Sequence, residues 1–415
     1  MDLVTLLEMK VEAIRQSMGD AFLGDADKLL LEEVSKGVTA DFVEIERLAK
    51  NVVAALFSSR LAQVDAHFAE GLAGRRALCV IDFATVPYSF NVLVNLFVAD
   101  KFRQDQGCSI LDVAFIAHAG DPGISGQPHH SEESLKRRFR TLANNLGIGA
   151  ARLLPSVGSV LFFDNRTLFS RFLESTRADY RVFPEYYSAR YPLSRISHDE
   201  ADSFCFIHLT KSAQPAEVLS LAPPQDEVDL ARRWLCSKVY PAVPVTLTLR
   251  KMSFESGRNS DLAAWSRILS RIIDHRIMFV VVPDYYDAFS DEAIQADNIV
   301  YCPEATLTVP FRAAIYSASS FNIFGNNGPL SIGYLSQSIN YLIFLGTTDL
   351  GSSAASEIET GEGLVFGGQF WGAAEFQRLV WETRDEDAIV AAISKMIDDL
   401  DRAGRLVPAW YSGAV

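Results

Sequence analysis

RRALCVIDFATVPYSFNVLVNLFVADKFRQDQGCSILDVAFIAHAG, residues 75–120, decides the fold class. RRALCVIDFAT reads as a buried strand ending at Asp82. PYSFNVLVNLFVADKFRQDQG reads as a helix of about five turns, and SILDVAFIAHAG as a second strand. Strand, helix and strand with short links make a βαβ unit, which implies a parallel sheet. The pattern continues downstream. DPGISGQPHHSEES is a polar loop, and ESLKRRFRTLANNLG is a helix with Gly147 placed to close it. SVGSVLFFDN is a further strand.

AQPAEVLSLAPPQDEVD, rich in proline and acid, is the linker, and DLARRWLCSKVY is a helix that stops at Pro241. A second series then opens. VPVTLTLR is a strand, DLAAWSRILSRIIDH an amphipathic helix, and RIMFVVVPD a fully buried strand. NIVYCPE is a short strand, TVPFRAAIYSAS a helix, and FNIF and NYLIFLG are strands. DEDAIVAAISKMIDDLDRAG is a periodic terminal helix. Upstream, LLEMKVEAIRQSM and FVEIERLAKNVVAALFSSRLAQVDAHF repeat apolar residues at three and four. The expected organisation is an N-terminal helical segment over 1–70, a first Rossmann-like domain over 71–225 and a second over 226–415. The class is α/β, with two Rossmann-like domains facing across a cleft. The N-terminal helices are a helical cap on the next domain, or alternatively a homodimer contact.

Composition narrows the partners. The 415 residues are 49% hydrophobic and 22% charged, the profile of a globular chain. A formal net charge of −14 without a basic block disfavours a nucleic-acid backbone as partner. The five cysteines, Cys79, Cys108, Cys205, Cys236 and Cys302, are scattered and form no CxxC pair. A reducing compartment fits them better than a disulfide framework or a cysteine zinc site. No apolar run approaches the ~20 residues of a membrane span, and the N-terminus carries no signal-peptide pattern. The expected location is cytoplasmic.

Chemistry concentrates at predicted strand ends. In TLRKMSFESGRNSD, residues 248–261, Arg250 ends a strand and Arg258, Asn259 and Ser260 precede a helix. Asn259 or Ser260 is placed to cap that helix, with Asp261 in its first turn. Guanidinium forks suit phosphate oxygens, so Arg250 and Arg258 are candidate diphosphate clamps. The bland reading is a helix cap beside a solvated arginine. FGNNGPLSIG, residues 324–333, packs Asn326, Asn327, Gly328 and Pro329 between a strand and a helix containing Leu330 and Ser331. Gly328 can adopt angles other residues avoid, and Pro329 can open a helix whose first N–H groups are free for an anion. The bland reading is an ordinary turn. Asp284, after RIMFVVVP, is a candidate for hydroxyls of a ribose or sugar, or a turn residue.

In the first domain Asp82, His118 and Asp121 stand at or just past strand ends, each able to take a proton from a hydroxyl within reach. Burial is expected to raise the Asp82 carboxyl and improve it as a base. The competing reading has Asp82 cap the helix near Pro87. His129 and His130 sit adjacent in a loop and make no metal motif. FPEYYSARY, residues 183–191, is core, or alternatively an acceptor platform.

YSASSFNIFGNNGPLSIGYLSQSINYLIFLG, residues 316–346, resembles the donor-domain segment of GT-B glycosyltransferases, most closely the heptosyltransferase type. VTLTLRKMSFESGRNSD looks like the opening strand and phosphate-side loop of such a domain. The likeness covers the arrangement of the last ~340 residues. It departs where heptosyltransferases commonly carry an acidic residue and this chain has Asn326 and Asn327. The resemblance implies transfer of a sugar from a nucleotide-sugar donor to a glycan or other hydroxyl acceptor, as in bacterial surface polysaccharide synthesis. With no DxD motif in sight, no metal and no other cofactor are expected. Two alternatives stay open: a sugar-nucleotide epimerase or hydrolase of the same plan, and a non-catalytic binding or assembly protein that kept the fold.

Overall fold

The computed structural model describes residues 76–83, 86, 89–117, 147–176, 179–184, 187, 221–251, 259–284, 294, 296–346, 364–381 and 385–408. The helical segment over 1–70, its dimer contact and the 121–134 loop lie outside these residues, as does the helix read from 133 as far as residue 146. The chain divides into two compact units, Met1–Ala73 and Gly74–Val415, and the fold below is that of the second.

The described residues of that unit form two all-parallel sheets. The first holds β1 (Arg76–Asp82), β2 (Ile110–Ile116), β3 (Val157–Phe163) and β4 (Tyr180–Phe183) in the order β3-β2-β1-β4. The second holds β5 (Val243–Thr248), β6 (Ile277–Val282), β7 (Ile299–Tyr301), β8 (Phe321–Phe324), β9 (Tyr341–Phe344) and β10 (Gln377–Val380). Their order is β10-β9-β8-β5-β6-β7. Strands covered on both faces read as unbroken apolar runs, which explains why LCVI and FVVV were legible. Among the described residues the helices are α1 (Asn91–Asp105), α2 (Gly149–Ala151), α3 (Arg166–Thr176), α4 (Gln225–Val239), α5 (Leu262–Ser270), α6 (Val309–Ser317), α7 (Leu330–Tyr334) and α8 (Glu386–Arg402). Among the described residues, no helix is long and apolar enough to cross a membrane.

Several local expectations change. α1 has 15 residues, about four turns rather than five. Gly147 does not take the left-handed backbone of a C-cap glycine. β10 was absent from the sequence reading. It is a short edge strand whose alternate residues are only partly covered, so QRLV carries a weak signal. Its outer side is closed by a side chain: Gln369 Nε2 donates to the Leu379 carbonyl at 3.2 Å, and Leu379 N–H donates to Gln369 Oε1 at 2.6 Å.

The amino end of the first sheet carries a buried ion pair. Arg76 on β1 donates from Nε and Nη2 to Asp112 on β2, at 2.7 and 2.8 Å. Tyr180 from β4 and Ser159 from β3 bond the same carboxylate. All four strands are thus tied at one level.

Both sheets have a topological switch point. The first sheet grows from β1 through β2 to β3, then returns to the other side of β1 for β4. The second grows from β5 through β6 to β7, then returns beside β5 with β8. In open parallel sheets, ligands bind outside the carboxyl ends of the strands at such reversals. Ligand sites are therefore expected at the ends of β1 and β4, and at the ends of β5 and β8.

Candidate active site

Asp82 is the last residue of β1. Its Oδ2 accepts from Arg166 Nε at 2.6 Å and from the Tyr187 hydroxyl at 3.1 Å. Arg166 opens α3 after β3, and Tyr187 follows β4. The Asp82–Tyr187 bond therefore spans the first switch point. Burial and the Asp82 charge push the Tyr187 phenol well above its ordinary range, so it stays a neutral donor. Tyr187 also packs edge-on against Phe169, which joins the core part of FPEYYSARY to the site. Asp82 does not cap α1. The capping position belongs to Phe90, which makes no side-chain cap, and the carboxylate is turned to Arg166 and Tyr187 instead. At 2% exposure, Asp82 meets an outside hydroxyl only after its surroundings rearrange.

The second switch point gathers most of the other candidates. Arg250 and Ser260 are doubly tied: Arg250 N–H donates to Ser260 Oγ at 2.9 Å, and Ser260 N–H to the Arg250 carbonyl at 2.9 Å. Arg250 Nη1 donates to Asn259 Oδ1 at 2.6 Å, and the side chain is buried. Asp284, beyond β6, accepts from Lys251 N–H at 3.0 Å. Asn327 Nδ2 donates to the carbonyl of Thr248, the last residue of β5, at 3.2 Å. Neither Asn259 nor Ser260 caps α5. Asp261 does so, accepting from Ala264 N–H at 3.0 Å. The two residues read as caps serve to fix Arg250.

The 324–333 loop differs from its sequence reading in two respects. Gly328 has no positive φ. It is glycine because of a close approach: a Cβ there would lie 2.7 Å from Phe90 Cδ2. The N–H groups of Leu330, Ser331 and Ile332 are not free either. They donate to the carbonyls of Asn327, Gly328 and Pro329 at 3.1–3.3 Å. Ser331 Oγ turns back to the Gly328 carbonyl at 2.8 Å. With five residues and these bonds, α7 offers no ready anion cradle. Asn326, half-buried, and Asn327, buried, are the polar side chains the loop brings.

The Phe90–Gly328 contact joins the two halves. Phe90 stands before α1, beyond the carboxyl end of β1, and Gly328 lies beyond the carboxyl end of β8. Gly328→Ala is expected to destabilise the fold by about 1–3 kcal/mol through overpacking. The penalty should shrink in a Phe90→Ala background, which paired thermal melts would read. An equal penalty in both backgrounds would mean that the ring is not what excludes the Cβ.

His118, Asp121 and Arg258 lie outside the described residues, as do His129 and His130. Among the described residues, no group of three or more His, Cys, Asp or Glu gathers as for a metal ion. The sequence reading missed Arg166, Lys251, Thr248 and Arg312. Arg166 meets Asp82 across 84 positions, a separation that leaves no local pattern. Arg312 did leave one, a charged residue inside the apolar VPFRAAI.

Fold and site together define a parallel α/β protein with two sheets whose carboxyl-edge loops meet. No family model and no curated protein sequence matches the chain. Among solved structures it is similar to glycosyltransferases. The E. coli ADP-heptose LPS heptosyltransferase II aligns at 9% identity and TM-score 0.46, over 79% of this chain and 99% of that one. A glycosyl transferase family 9 protein from Veillonella parvula aligns at 8% and 0.43, over 78% and 90%. E. coli heptosyltransferase WaaC with ADP aligns at 12% and 0.37, over 77% and 99%.

Proposed function

We propose that this chain is a glycosyltransferase that moves a sugar from a nucleotide-activated donor to a hydroxyl acceptor. One observation carries the reading: Asp82 stands at the switch point of one parallel sheet, Arg250, Asn259, Ser260 and Asn327 gather at that of the other, and the adjoining loops touch through Phe90 and Gly328. In this reading the second sheet holds the donor. Arg250, fixed by Asn259 and Ser260, and Arg258 face its diphosphate, while Asp284, Asn326 and Asn327 take hydroxyls. Leu330 and Ser331 shape the loop rather than donate to phosphate.

Asp82, His118 and Asp121 are the candidates for the base. The acceptor hydroxyl gives its proton to that base as its oxygen bonds the anomeric carbon. The bond from that carbon to the diphosphate oxygen breaks, and the nucleoside diphosphate leaves with the electron pair. Fixed positive groups at the leaving phosphates stabilise the charge that develops there. Arginine supplies that charge in this reading, so no divalent ion is required.

Calorimetry with UDP, ADP, GDP and CDP, with and without chelator, tests it. At least one should bind in both conditions, and Arg250→Ala should weaken that binding by about 10- to 100-fold. Binding that disappears with chelator would remove the metal-free mechanism, and no binding at all would remove the donor site. Product analysis with a sugar-nucleotide panel then separates transfer from epimerisation or hydrolysis.

A further inference from the structure

Arg312 lies in α6 and is 7% exposed. Its Nε donates to the Ala305 carbonyl at 2.8 Å. Among the described residues, no carboxylate forms an ion pair with it. A single carbonyl satisfies little of a guanidinium, and neither Nη atom is among the sealed, unpartnered atoms, so the charged end of this largely buried side chain keeps an opening outward. Such a group makes sense where an anion arrives.

Its neighbours indicate where. The Tyr316 hydroxyl lies 2.8 Å from Thr248 Oγ1, at the end of β5. α6 follows β7, so it runs from the carboxyl edge of the sheet back toward the amino edge. Arg312 precedes Tyr316 by one turn and therefore stands about 5 Å nearer the carboxyl edge. That sets it toward the carboxyl edge of the sheet, the edge at which ligands of such sheets bind. Asn327 converges on the same residue. Its Nδ2 holds the Thr248 carbonyl, and its Oδ1 is buried with no hydrogen-bond partner among the described residues. A cation lacking a carboxylate and an acceptor lacking a donor thus share one switch point. Oxyanions and hydroxyls on a single ligand would satisfy both.

We propose that Arg312 binds the diphosphate of the donor, with Asn327 Oδ1 accepting from a hydroxyl of the same molecule. The proposal rests on the nucleotide-sugar reading and adds a cation drawn from a helix interior rather than from a strand-end loop.

The test uses the full chain with Arg312→Met and with Arg312→Gln, which drops the charge but can still bond the Ala305 carbonyl. Each is melted without ligand, then titrated with UDP, ADP, GDP, CDP and pyrophosphate. The tightest parent ligand should bind both variants about 10- to 100-fold more weakly. Without ligand, Arg312→Met should melt no lower than the parent, because an uncompensated charge has been removed. Parent-like affinity in either variant overturns the assignment while the nucleotide-sugar reading stands. A lower melting temperature with unchanged affinity makes Arg312 a structural residue. Should the Met variant fail to fold, the Gln variant decides on affinity alone. If the parent binds none of the five probes, the nucleotide-sugar reading falls and this assignment with it.

Discussion

Asp112→Ala is expected to cost the fold about 3–5 kcal/mol, the usual penalty for leaving one member of a buried pair alone. Asp112 is wholly enclosed, and Arg76, its bidentate partner, is largely so. Removing the carboxylate strands a guanidinium among β1, β2 and β3 and also deprives Tyr180 and Ser159 of their acceptor. The loss should appear as a lower urea midpoint at little change in slope. The double replacement Arg76→Met, Asp112→Leu should recover most of it, because apolar residues of similar volume often replace a buried pair without loss. If the single variant unfolds like the parent, the pair contributes no net stability. If the double variant is as weak as the single one, the strands need the bonds themselves rather than neutrality.

Asp82→Asn is expected to cut sugar transfer by about 10²- to 10⁴-fold, the range associated with a positioned base. The amide oxygen can still accept from Arg166 and Tyr187, but the group cannot take a proton. Donor affinity should persist, since the proposed nucleotide site is on the other sheet. The competing view makes Asp82 only an anchor for Arg166 and Tyr187. The two views separate when transfer is measured per folded molecule. An anchor shows a lower melting temperature with turnover intact, and a base shows turnover lost while the melting temperature persists. Intact turnover would remove Asp82 from the mechanism and leave His118 and Asp121.

The fold was legible where burial is two-sided. Runs such as LCVI and FVVV have no exposed face to interrupt them, so their strands could be placed, whereas α3, β4 and the strand orders that create the reversals were not read from the sequence. β10 was not legible, because Gln377 and Arg378 give it half the polarity of a loop. At the site, strand ends were visible, and with them Asp82, Arg250, Asn259, Ser260 and Asp284. What these residues touch was not. Gly328 signalled a special position, but the reason is a ring from far upstream rather than an unusual backbone angle. Arg166 and Tyr187 acquire meaning only once distant segments are brought together.

Gln369 has a consequence for how the molecule behaves in company. A parallel sheet ending in β10 would present a row of open main-chain groups, and such a row templates the addition of any extended segment that drifts by. Here one amide side chain meets both the donor and the acceptor of Leu379. It imitates a neighbouring strand at a single rung, without the length that a real strand would offer for continued growth. The rim of the larger sheet is thereby blunted against edge-to-edge association, and a crowded solution is less able to extend it into a fibre.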